Sequence, residues 1–248
     1  MNPTAELYES MQVAFDHFNE HLFNNKLPQI LFTTQRQHQV MGYFAPNRWA
    51  SADGKKCHEI AINPLYVGRA TLIGLMQTLV HEMVHCWQEC FGKISRKSYH
   101  NKQWANKMIS IGLMPSSTGH PGGAITGQYM SDYPAPKGKF IQACEKLLKT
   151  KGFNLPWVDR FAQVSSVEAD NTTLEALEGM DAALINQLTI KLEDVFGIES
   201  FAEPTPQAAK KIKVKYTCDE CDINVWGRGG LKLRCDECNI VLSSSLDL

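Results

Sequence analysis

The stretch Leu79-Val80-His81-Glu82-Met83-Val84-His85-Cys86-Trp87 constrains this chain more than any other. Two imidazoles stand four residues apart with a carboxylate beside the first. On a helix, residues at i and i+4 lie one above the other on the same face. His81 and His85 can then point at one metal ion, with Glu82 angled towards the water it activates. Zinc lowers the pKa of a coordinated water to about 7, and a nearby carboxylate can take its proton as it attacks a polarised carbonyl. The chemistry implied is metal-assisted hydrolysis. The flanking residues ask for the same helix. Leu72, Leu75, Met76, Leu79, Val80, Met83, Val84 and Trp87 recur at helical spacing, which predicts an uninterrupted amphipathic helix from Arg69 to Cys90. Asn63-Pro64 is expected to open this segment and Gly92 to close it.

A catalytic zinc site holds three protein ligands and keeps the fourth position for water. A third histidine six residues after the second would fall at position 91, where Phe91 stands, so that subclass is excluded. His100 is the next candidate, in Ser98-Tyr99-His100-Asn101-Lys102-Gln103-Trp104, which opens a second helix running towards Ile111. Glu89 competes, but it lies four residues beyond His85 on the same helix and should point away from the metal. His120 is a third candidate, on the turn Gly119-His120-Pro121-Gly122-Gly123.

The order of several further features resembles the SprT-like (Spartan-related) zinc metallopeptidase family. These are Tyr8, Phe15-Asp16-His17-Phe18-Asn19 and Leu27-Pro28, then Gly42-Tyr43-Phe44 with Arg48-Trp49, then Glu59-Ile60-Ala61-Ile62-Asn63-Pro64. The His81-Glu82-Met83-Val84-His85 motif follows, and His100 and Trp104 stand where the family's third histidine and its following aromatic fall. The resemblance covers roughly residues 5 to 115. It implies a compact zinc protease domain with a helix, a small β-sheet and the metal helices, and it implies His100 as the third ligand.

Periodicity supports an α+β architecture independently. Leu7, Met11, Ala14, Phe15, Phe18 and Leu22 form one face of a helix over Glu6 to Phe23. Short runs rich in β-formers at Ile30–Thr34, Val40–Phe44 and His58–Ile62 are separated by turns. The expected fold class is therefore α+β: a zincin-like domain with a small sheet and the histidine helix over residues 1–150, then an acidic helical spacer and linker over 151–209. A zinc ribbon over 210–248 completes the chain.

The ribbon rests on Cys218-Asp219-Glu220-Cys221 and Cys235-Asp236-Glu237-Cys238, two knuckles separated by thirteen residues. Four thiolates close a coordination shell, so Cys218, Cys221, Cys235 and Cys238 are expected to hold a structural zinc beside the catalytic one. Ile223–Trp226 and Leu231–Leu233 read as hairpin strands around Gly227-Arg228-Gly229-Gly230. The other four cysteines, Cys57, Cys86, Cys90 and Cys144, show no knuckle pairing and read as small core hydrophobes. No charged-then-apolar leader opens the chain and no apolar run reaches about eighteen residues. A cytoplasmic location, nucleoid included, is expected, with no membrane partner.

The overall net charge of −1 hides a basic front, an acidic middle and a near-neutral end. Arg69, Lys93, Arg96, Lys97, Lys102 and Lys107 flank the histidine motif, and Lys210, Lys211, Lys213 and Lys215 precede the ribbon. Positive charge at those places suits phosphates. In the middle, 119–138 is turn-rich and Phe140–Lys151 is an amphipathic helix expected to pack back on the first domain. Residues 164–173 read as loop, Leu174–Phe196 as helix interrupted at Gly179, and Ser200–Ala209 as linker.

The resulting expectation is a zinc metalloendopeptidase (a hydrolase) in which His81, His85 and His100 hold the metal and Glu82 is the general base. The resemblance implies protein substrates bound or crosslinked to DNA, single-stranded DNA being one partner. The rival reading is a zinc-stabilised DNA- or polymerase-associated binding protein without proteolysis; retention of Glu82 separates the two, because a purely structural site needs no base.

Overall fold

The computed structural model describes residues 2–38, 40–96, 99–151, 153–162, 171–196 and 213–244. By Cα proximity the chain divides into two units, Met1–Phe201 and Ala202–Leu248.

In the first unit, Asn2 begins helix α1 (Pro3–Phe23) by accepting from the backbone N–H of Thr4 at 3.1 Å, and Asn24 ends it in the left-handed region at φ 55°. Met11, Ala14, Phe15, Phe18 and Leu22 are buried along one face of α1. Phe15 meets Phe32 edge to face, and Phe18 stacks on Phe140, each pair with centroids 6.0 Å apart. Burying such a phenyl ring contributes about 1.5–3 kcal/mol.

The sheet has the order β1-β3-β2, with β1 (Ile30–Thr34) parallel and β2 (Gly42–Ala50) antiparallel to the central β3 (Lys56–Ile62). Strand β2 runs six residues beyond the expected end at Phe44. A register shift between Ala45 and Trp49, with Asn47 at φ 48°, absorbs Pro46-Asn47 within the strand. At the start of β2, a Cβ on Gly42 would lie 2.8 Å from the Ala61 carbonyl oxygen, so close pairing with β3 needs glycine there.

Asn63-Pro64 does not open the motif helix. It caps a separate short helix, α2 (Pro64–Val67), while α3 (Leu72–Phe91) starts at its own cap, Thr71, whose hydroxyl accepts from the Gly74 N–H at 3.2 Å. The helix expected from Arg69 to Cys90 is thus one helix starting three residues later, because Thr71 rather than Asn63 offers its cap. Next come α4 (Lys102–Ser110) and the antiparallel pair β4 (Leu113–Ser116) and β5 (Ser131–Pro134), a pairing the turn-rich sequence concealed. Helix α5 (Lys139–Lys151) packs against α1 as expected.

The acidic stretch forms α6 (Asn171–Ala176), α7 (Ala182–Thr189) and α8 (Leu192–Val195), breaking at Gly179, which stands at φ 87°. It does not stand apart as a spacer. Phe153, Leu155, Ala176, Leu177, Leu188 and Leu192 are buried in the same core as Phe15, Ile60 and Met83. The charged residues that give this stretch its acidic composition masked an apolar face. Of the loop expected over 164–173, residues 171–173 instead begin α6, while 164–170 and the linker over 200–209 lie outside the described residues.

The second unit pairs β6 (Lys213–Thr217) with β7 (Asn224–Arg228) and β8 (Ser243–Ser244). The hairpin therefore encloses the first knuckle, and Leu231–Leu233 is not a strand. Lys213-Val214-Lys215-Tyr216 alternates exposed and buried, a strand pattern that its lysines disguise as a basic run. Among the described residues, no helix is long and apolar enough to cross a membrane.

One buried group of the first unit makes its stability depend on pH. The His17 ring donates from Nε2 to the Ala143 carbonyl at 2.8 Å and stacks on His21. Burial lowers its pKa below 6.5; the Ala143 carbonyl and Glu20 oppose this, and His21 and Lys146 reinforce it. The unfolded chain then binds more protons just below pH 6.5, so stability falls as the pH drops through that window. A His17→Gln variant is expected to lose less melting temperature than the parent between about pH 7.5 and 5.5; parallel melting curves would reject this.

Candidate metal centre

On α3, Gln77, His81 and His85 succeed one another every four residues and so share one face. His100 arrives from a different element. Its backbone N–H donates to the Gly127 carbonyl at 2.8 Å and the Gly127 N–H returns a bond at 3.1 Å, which pins the residue just before α4. Asn101 then caps α4, accepting from Gln103 and Trp104 N–H groups at 3.0 Å. One turn into α4, fully buried Trp104 lies against all three imidazoles, its ring centroid 4.9 Å from His81, 5.5 Å from His85 and 4.4 Å from His100.

The result is that His81, His85 and His100 each offer a ring nitrogen within 4.8 Å of the others. Glu89 and His120 are not part of the cluster. His81 donates from Nδ1 to Asp132 at 3.0 Å, and His100 donates from Nδ1 to the Gly127 carbonyl at 3.2 Å. In its neutral form each ring therefore keeps a lone pair on Nε2. His85 Nε2 lies 3.1 Å from His100 Nε2, and with the latter unprotonated only a proton or a cation between them makes that approach favourable. Burial pushes His85 far below the ordinary histidine range and His100 down to about 4, with neighbouring His81 adding to both. Burial lowers the His81 pKa, but Asp132 and Glu82 outweigh it and raise it, so His81 would release its Nε2 proton on binding a cation. His85 and His100 already favour the neutral, lone-pair form zinc requires, and the donor set fits a metal ion.

Glu82 is 8% exposed and sits beside the cluster. Burial raises its pKa, while His81 and a hydrogen bond from the Phe44 backbone N–H pull it down. That N–H is delivered by β2, and β2 is held in place by a buried carboxylate. Glu59 accepts from Thr33 Oγ1 at 2.5 Å, Tyr43 OH at 3.3 Å and Trp49 Nε1 at 3.1 Å, tying β1 and β2 to β3. The residues Gly42-Tyr43-Phe44, Arg48-Trp49 and Glu59 thus act together: they set the strand that reaches Glu82.

Sequence reasoning missed Asp132, on β5, whose side chain meets His81 and also accepts from Gln77 Nε2 at 3.3 Å. Nothing in Ser131-Asp132-Tyr133-Pro134 marks it, since its partner lies 51 residues away. The basic cluster needs correction as well. Arg69 pairs with Glu193 at 3.5 Å, and Lys107 lies over the Phe23 and Trp87 rings while donating to the Leu22 carbonyl. Both are engaged in packing, whereas Lys93, Arg96 and Lys102 are exposed. Lys97, Lys210 and Lys211 lie outside the described residues.

In the second unit, Cys218, Cys221, Cys235 and Cys238 place their sulfurs within 4.8 Å of one another, with Cys221 and Cys235 3.7 Å apart. The Cys221 backbone N–H draws the Cys218 thiol down to about 7, towards the thiolate that binds metal. Cys86 and Cys144 are buried in the first unit as expected of core hydrophobes, while Cys90 is exposed with its sulfur 3.8 Å from His58 Nε2.

Fold and site together define a mixed α+β protein with a His-Glu-x-x-His helix and two clusters of a kind that could hold metal ions. The sequence model of the SprT-like family matches residues 11–121, a span that includes His81, Glu82, His85 and His100. The "uncharacterized protein in mucB 3'region" of Salmonella typhimurium is 43% identical over 51 residues, which cover 21% of this chain and 69% of that protein. The chain belongs to the SprT-like family, which is associated with metallopeptidase-like function. No solved structure matches it.

Proposed function

We propose that this protein is a zinc-dependent endopeptidase acting on DNA-associated or DNA-crosslinked proteins. The observation that carries the reading is the convergence of His81, His85 and His100 beside the buried carboxylate of Glu82. The three imidazoles would hold the zinc, and the four ribbon cysteines a second, structural one. The chemistry supplied by zinc bound at the histidines is Lewis-acid activation of water and of the scissile carbonyl. Glu82 takes the proton of the attacking water and delivers it to the departing amine, acting as base and then acid. Its pKa, lifted by burial, lies closer to neutrality than that of a free carboxylate and suits both roles. Trp104 forms an apolar floor that keeps the rings in place and bulk water out.

Contact with DNA is supported by the outer face of the ribbon. Lys215 stands opposite Trp226 and Lys213 opposite Arg228 in the β6–β7 register, and residues so paired share a face. Trp226 is 62% exposed there. An exposed indole among cations is the arrangement that stacks a base and holds its phosphates, at about 1–3 kcal/mol per stacked base.

The test is cleavage of a protein crosslinked to DNA by the zinc-loaded full chain, with and without single-stranded DNA. Cutting that DNA stimulates and a chelator abolishes is expected. A chain that binds zinc and DNA but cuts nothing would leave only a binding protein.

A further inference from the structure

Among the three clustered histidines, His81 is the one whose Nδ1–H is taken by a carboxylate, Asp132 Oδ2 at 3.0 Å; His100 gives its own to a neutral backbone carbonyl. The Asp132 side chain is 7% exposed, and a carboxylate so buried is costly unless its partners hold it. One partner is Gln77, whose Nε2 lies 3.3 Å from both Asp132 Oδ1 and the Asp132 carbonyl. Gln77 stands one helical turn before His81, so α3 supplies both the ring and the amide that steadies the ring's acceptor. Asp132 itself comes from β5, beyond residue 121, where the family match ends.

We propose that Asp132, steadied by Gln77, is the positioning residue that fixes His81 in the tautomer and orientation needed to bind metal. The role rests on the metal reading of the site. An imidazole unpinned at Nδ1 can rotate and exchange tautomers, and either event turns the Nε2 lone pair away from the point where His85 and His100 converge. A carboxylate acceptor also makes the ring a stronger donor to a metal than a carbonyl does.

Cobalt(II) titration of the metal-free full chain tests this, because cobalt reports its two sites by different spectra. Only the four-thiolate site gives thiolate-to-metal charge-transfer bands, so ligand-field bands without them read the histidine site. Asp132→Asn keeps an acceptor oxygen but removes the charge. It is expected to weaken the histidine site about 10- to 100-fold while the metal-free melting temperature stays at the parent value. Asp132→Glu, which restores the charge, should recover part of the loss, and Gln77→Leu should produce a smaller loss of its own. A residue that merely packs would move the melting temperature and leave cobalt affinity alone. Affinity within about threefold of the parent in a folded Asp132→Asn chain overturns the proposal. Should that variant fail to fold, unchanged affinity in Gln77→Leu overturns it instead. A parent chain with no histidine-site cobalt spectrum overturns the metal reading itself, and the role of Asp132 with it.

Discussion

Changing Glu82 to Gln is expected to reduce peptide-bond cleavage by at least about 10²- to 10⁴-fold while zinc content and fold are retained. Gln matches Glu in size and can still accept the Phe44 N–H through its carbonyl oxygen, so the strand that reaches this position keeps its anchor. What it cannot do is take a proton from the attacking water. The three histidines are untouched, and their convergence depends on α3, the Gly127 bridge and Asp132 rather than on Glu82. Removing a buried carboxylate also removes its desolvation cost, so the variant should melt no lower than the parent. The measurement is kcat/KM on a crosslinked protein substrate beside the zinc content and melting temperature of the same preparation. A variant retaining a tenth or more of the parent's activity would mean that another group is the base.

The parts of the site that share an element were legible in the sequence. His81, Glu82 and His85 lie within one and a half turns of α3, where spacing alone dictates which side chains meet. His100 was one of three candidates on spacing, because its position depends on a bridge to Gly127 that periodicity does not encode. Asp132 was invisible for the same reason, and so was the β4–β5 pair that carries it. In the fold, α1, α3 and α5 followed their apolar stripes, whereas β2 runs past its expected end at Phe44, through Pro46-Asn47 to Ala50. A bulge accommodates that pair, with Glu59 accepting from Tyr43 and Trp49 on either side of it. The acidic stretch misled for a different reason. Its charges are exposed, but Leu177, Leu188 and Leu192 point into the core, and composition averages the two faces together.

Replacing Cys235 with Ser is expected to cost the ribbon its metal and its fold together. The buried core of this unit is Val214, Tyr216, Cys218, Cys235 and Leu242, and two of those five residues are themselves candidate ligands. So small an apolar core does not sustain a domain of this length, for which a metal normally supplies the missing stability. Structural zinc in small domains contributes on the order of 10–16 kcal/mol at neutral pH. The first unit has its own core, from Phe15 to Leu192, and should keep both its melting temperature and the histidine site. Loss of one zinc per chain, with the first unit's melting transition unchanged, is therefore the expected result. The same variant then separates recruitment from chemistry. If the face bearing Lys213, Lys215, Trp226 and Arg228 brings the enzyme to DNA, Cys235→Ser should cut a DNA-free protein substrate at the parent rate. It should also lose the stimulation by single-stranded DNA, as should Trp226→Ala, which leaves the four cysteines in place. Stimulation that survives in both variants would assign DNA contact to the first unit, where Lys93, Arg96 and Lys102 are exposed.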